Sequence, residues 1–171
     1  MLRLIHALFD IMLHRRGPDS LPSSPFLFWL LLAAMLVSEF VVGVVARTTL
    51  REAAVTLLII GFEFWFVWAV LRLFERQRRF RQTMSAVLGT DAILAVLALP
   101  LVPFVEQAAP ASQGFSPAGF GMFLLNIWSI LILAFVLSRA LERPYLLTLA
   151  VSISYVLLMV LVYFTFVPRP A

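Results

Sequence analysis

Three carboxylates, Glu39, Glu63 and Asp91, lie inside otherwise apolar runs of this 171-residue chain. An ionised acid at the centre of a membrane-spanning helix costs about 2.5–3.5 kcal/mol. Each therefore needs a buried partner, a water-filled cavity or a proton. No basic residue lies in the middle of any run, so a salt bridge at mid-membrane depth is not available. At a rise of about 1.5 Å per residue, Glu39 is expected about 10 Å below the outer edge. Glu63 is expected near the middle, and Asp91 about 5–10 Å in from the cytoplasmic edge by the same rise. The three then line a staggered proton or cation route, or each is a hydrogen-bonded packing residue between helices. The sequence favours the packing reading. Asp91, after Gly89-Thr90, is also expected to accept from an arginine of the second loop folding back.

Weaker polar groupings follow. Asn126 and Ser129 are three apart in the fourth run, and Thr148, Ser152 and Tyr155 fall at i, i+4 and i+7 in the fifth. Their expected use is hydrogen bonding between two helices packed as an antiparallel hairpin, with a polar lining for a ligand as the alternative. His6, Asp10 and His14 share one helical stripe with Arg3. That stripe reads as a solvated face, since a metal needs further ligands and a supporting shell. Arg76, Arg78, Arg79 and Arg81 form the densest charge, an orientation anchor that also suits anionic lipid or an acidic partner.

Absences narrow the chemistry. With no cysteine there is no thiolate, and with no lysine no Schiff base. No histidine lies in a span, so paired-histidine haem ligation within the bundle is excluded. No phosphate-binding glycine loop, His-Glu-x-x-His or Gly-x-Ser-x-Gly motif occurs. The expectation is a protein without catalytic residues, metal or cofactor.

The elements that must position these groups are set by hydropathy. The chain is 63% hydrophobic and 13% charged, where ordinary globular domains are about a quarter charged. Five runs approach the roughly 20 apolar residues a spanning helix needs: 26–46, 53–71, 87–105, 118–138 and 145–167. They lack the period-two alternation of a barrel. The expected fold is an all-α integral membrane bundle of five transmembrane helices over residues 17–171. Residues 1–16 form an amphipathic helix in the cytoplasmic interface. Ser23 or Ser24, followed by Pro25, is expected to start the first span. Pro100 and Pro103 are expected to kink or end the third, and 106–117 reads as an irregular loop.

Ten of the thirteen arginines fall on one side of an alternating topology. The positive-inside rule places the N-terminus in the cytoplasm and the C-terminus outside. No removable signal segment is expected, and the address is a bacterial inner membrane. Arginines gathered at membrane edges also argue against nucleic acid as a partner. Lipids and other membrane proteins, or further copies of the chain, are the expected ones.

The layout resembles that of the Yip1-domain proteins: a short cytoplasmic N-terminus, five spans and an outer C-terminus. His14-Arg15-Arg16-Gly17-Pro18-Asp19-Ser20-Leu21-Pro22 and the stretch Phe80 to Leu94 look like segments of bacterial members. Of the Asp-Leu-Tyr-Gly-Pro motif of eukaryotic members only Gly17-Pro18 is present. The resemblance implies a non-enzymatic membrane protein; the vesicle-traffic role of eukaryotic relatives is not carried over. The leading expectation is a non-catalytic scaffold or accessory subunit. The alternative is a small proton- or ion-coupled transporter using the three acids. Where those carboxylates point discriminates between them.

Overall fold

The computed structural model describes residues 2–108 and 116–166. Most of the expected third loop, together with Val167 and Arg169 at the end of the chain, lies outside them. The described residues form seven helices and no strand: α1 (Leu2–Met12), α2 (Pro25–Val45), α3 (Leu50–Leu73), α4 (Phe80–Ala98), α5 (Val102–Ala108), α6 (Pro117–Leu141) and α7 (Tyr145–Phe166). Four of them, α2, α3, α6 and α7, are long and apolar enough to cross a membrane. The chain is thus a multi-pass helical bundle.

Local chemistry sets the helix ends. Ser24 is the N-cap of α2 with Pro25 after it, although the serine hydroxyl makes no capping bond. Thr49 and Glu52 form a reciprocal capping box at the start of α3, a Thr-x-x-Glu signal legible in the sequence. Ser116 accepts from the Gly119 amide at α6. His14, Arg47, Glu75 and Glu142 take the left-handed conformation. Each follows a helix, where such a residue closes the last carbonyls onto the returning chain.

The third expected span needs correction. Helix α4 starts at Phe80, seven residues before the expected start at Val87, and ends at Ala98 ahead of Pro100. It is not among the four helices long and apolar enough to span by composition. Thr83 through Thr90 are buried on every face. This helix is central: it packs along α2 and α6 and touches α1 and α3. Its middle is enclosed by other helices, while Val96 and Leu97 near its end stay exposed. Its polar first turns are absorbed by the fold, as where Gln82 Nε2 donates to the Leu21 carbonyl at 2.6 Å. Proline ends it, as expected, and α5 follows.

Helix α1 docks along the flank of α4 and α6. Leu8, Ile11 and Met12 are buried, while Ile5, Phe9 and Leu13 stay exposed. Gly89 of α4 makes room for Leu8: a Cβ there would stand 2.5 Å from Leu8 Cδ2. The last carbonyls of α1 find partners off the helix axis. Trp128 Nε1 donates to the Met12 carbonyl at 3.2 Å, and Arg15 and Arg16 amides close on Asp10. His14 is drawn off the expected polar stripe. Its Nε2 donates to the Leu131 carbonyl at 3.1 Å, and its ring meets Phe135 edge-on at 4.6 Å. Asp10 instead pairs with Arg16 at 3.2 Å.

Candidate functional site

The alternation of the helices puts the start of α3, the end of α4, the start of α6 and the end of α7 at one end of the bundle. In that half lies a cavity of about 530 Å³. Glu39 from α2, Glu63 from α3 and Asp91 from α4 all line it, with Asn126 and Ser129 from α6 and Tyr155 from α7. A smaller void of about 50 Å³, touching Glu63, Asp91, Ser129 and Tyr155 again, continues toward Thr90 and Leu133. Beyond it the other half of the bundle is closed by Val67, Leu71, Met84, Val136 and Leu137, all fully or almost fully buried.

The convergence follows from the shift of α4. Asp91 is seven residues from the Ala98 end of α4, roughly 10 Å by helical rise. It therefore leaves the inner third expected for it and joins Glu63. Eleven residues separate it from Phe80, roughly 16 Å along the axis, so no arginine of the preceding loop reaches it. Among the described residues, the Glu39, Glu63 and Asp91 carboxylates form no ion pair. No basic side chain lines their cavity. Like charges in a low-dielectric pocket repel strongly, so neutrality there must come from protons or from a cation that enters. The described residues contain no group of three acidic, histidine or cysteine side chains placed to hold one metal ion.

Glu39 stands at a junction. It also lines a mostly apolar groove of about 670 Å³ between α2 and α3, which includes Arg47 and shares Thr56 and Ile60 with the acidic cavity. On the far side, Phe62 and Phe66 of α3 pack their rings on Tyr155, at 6.3 and 5.0 Å between centroids. These contacts tie α3 to α7 at the level of Glu63.

The hydroxyl and amide side chains do not bond across the α6–α7 hairpin as expected. Asn126 Nδ2 donates to the Met122 carbonyl at 2.8 Å, Ser129 Oγ to Asn126 at 2.8 Å and Thr148 Oγ1 to Tyr145 at 2.9 Å. Each satisfies itself within its own helix, the usual outlet for such groups where no partner faces them. The Ser152 hydroxyl, fully buried on the inward stripe of α7, has no hydrogen-bond partner among the described residues. It does not line the acidic cavity.

The arginine cluster divides. Arg76 and Arg79 both engage Glu142, at 2.6 and 2.5 Å, across the connection from α6 to α7. Arg78 and Arg81 are exposed at the bundle end. Arg139 and Arg143, read from the sequence only as orientation signals, lie with Arg79 around a further cavity. No signal in the sequence marks that grouping, because it joins segments about 60 residues apart.

No family model, no characterised protein and no solved structure matches this chain.

Proposed function

We propose that this chain is a small membrane transport protein that binds a proton or another cation in the acidic cavity. The carrying observation is the convergence of Glu39, Glu63 and Asp91 on one cavity lined by no basic residue. Separate contacts at helix–helix interfaces would have favoured a scaffold. The arginine distribution supports a bacterial inner membrane with the N-terminus in the cytoplasm. With that orientation the acidic cavity opens toward the outer side and the buried half of the bundle closes it from the cytoplasm.

In this reading a cation enters the outer cavity and exchanges with protons on the carboxylates. Asn126, Ser129 and Tyr155 offer oxygen ligands or proton donors beside them. Passage to the cytoplasm requires α3 and α7 to part, since Phe62, Phe66 and Tyr155 hold them together at Glu63. The Yip1-like layout fits a protein without enzymatic machinery. Exposed apolar faces on the long helices suit an accessory-subunit role as well, but lipid contact uses those faces equally.

The test is proton flux into liposomes carrying the purified protein and a pH-sensitive dye. Wild-type protein is expected to raise flux above empty liposomes, and Glu63→Gln to return it to that baseline. Wild-type flux no greater than that of empty liposomes, for protons and for added monovalent cations alike, would overturn the proposal.

A further inference from the structure

The opposite end of the bundle carries a cavity of about 590 Å³ between the Pro18–Ser20 turn, the start of α4 and the end of α6. Its lining includes Arg79, Arg139 and Arg143, the hydroxyl residue Thr83, and two acids, Asp19 and Glu142. Glu142 is occupied by Arg76 and Arg79. Arg139 and Arg143 make no ion pair among the described residues. Their guanidinium groups lie over the rings of Phe135 and Phe74, 5.4 and 5.5 Å from the centroids. Ring faces hold such groups in place while leaving their N–H edges open to an acceptor.

A second observation is independent of these charges. Thr83 is 1% exposed, and its Oγ1 has no hydrogen-bond partner among the described residues. A buried hydroxyl left unpaired is costly, and this one stands at the wall of the cavity. Gly17 lies beside it: a Cβ there would collide with Asp19 and stand 3.1 and 3.3 Å from Cγ and Cβ of Arg139. The loop therefore lies directly on that arginine.

We propose that this cavity binds the phosphate of a phosphodiester. Forked guanidinium donors and a hydroxyl donor match tetrahedral oxyanion chemistry. The charge balance selects among phosphates. Three arginines and two carboxylates line the pocket, and Arg76 outside the lining also pairs with Glu142, so the site is modestly positive and a singly charged diester suits it. On the positive-inside reading the arginines of this bundle end lie at a membrane edge, where anionic phospholipid head groups stand. A lipid and a soluble diester share this chemistry.

The experiment is native mass spectrometry of the full chain in mild detergent, with phosphatidylglycerol, glycerophosphoglycerol and inorganic phosphate as probes. Wild-type protein is expected to retain at least one of the two diesters and to bind inorganic phosphate more weakly. Retention of the lipid alone assigns the pocket to the bilayer, and retention of both opens it to the cytosol. Arg139→Gln and Arg143→Gln are each expected to weaken diester binding about tenfold, the scale of one charge-assisted hydrogen bond. Thr83→Val, nearly isosteric, is expected to weaken it several-fold without loss of folding. Arg51→Gln, exposed at the opposite end of the bundle, is expected to leave it unchanged. Diester retention absent in wild-type protein, or equal in wild type and all three pocket variants, overturns the proposal. So does inorganic phosphate binding as tightly as either diester.

Discussion

The acids of the cavity and the arginines of the far end obey one rule, that a charge in a bundle of this size must be neutralised by something nearby. Glu142 is neutralised from within the chain. Hydrogen bonding to Arg79 and the positive charges of Arg76 and Arg79 hold its carboxyl below the usual carboxylate range. A depressed folded value means that the pair stabilises the fold above the unfolded-state value of about 4.3. That contribution is lost as pH falls through the lower folded value. Wild-type protein is thus expected to outlast Glu142→Gln in thermal unfolding at pH 7, with the difference shrinking once pH drops below about 4. An equal difference at pH 3 would rule this out. Ser152 is the opposite case, a hydroxyl buried without a partner among the described residues. Because an unsatisfied buried hydroxyl costs about 1–3 kcal/mol, Ser152→Ala is expected to leave the unfolding temperature unchanged or raise it. A marked fall would reveal a partner for that oxygen.

Among the elements, α4 decides the architecture. Its buried stretch from Thr83 to Thr90 lets α2, α6 and α1 pack around it, and Gly89 is the position where α1 comes closest. Filling that position with a large side chain should drive α1 off the bundle. Gly89→Leu is expected to destabilise the protein by about 2 kcal/mol, the usual scale of overpacking. Adding Leu8→Ala should recover part of the loss, because the two positions share one space. Thermal unfolding of the single and double variants measures both effects; strictly additive losses would show that the residues do not meet. Helix ends and most helix lengths were legible from sequence. Pro25 marks the start of the first apolar run, and expected and observed boundaries of α2, α6 and α7 agree within three residues. The start of α4 was not legible, because its first turns look like loop by hydropathy and are kept inside by tertiary contacts such as Gln82 to Leu21.

For the whole molecule, charge asymmetry and cavity asymmetry coincide. The acidic cavity opens at the end away from most arginines, and the phosphate pocket lies at the arginine-rich end. Orientation can be read directly, since the chain has no cysteine to mutate away. A membrane-impermeant maleimide added to spheroplasts is expected to label Thr48→Cys, in the connection from α2 to α3. Ser20→Cys, in the turn before α2, should react only after the membrane is opened. The reverse pattern would turn the bundle over and place the acidic cavity on the cytoplasmic side.

Hydropathy and proline placement, which act locally, determined from the sequence alone that this is a helical membrane bundle and roughly where its long helices lie. The same local signals identified Glu39, Glu63 and Asp91 as costly groups in need of an explanation. Only the tertiary structure decided that the three meet. Their meeting depends on the register of α4, and that register is set by packing against four other helices. The grouping of Thr83 with Arg139 and Arg143 has the same origin. A contact between residues about 60 positions apart leaves no periodic trace in either segment, so it becomes visible only once the helices are side by side.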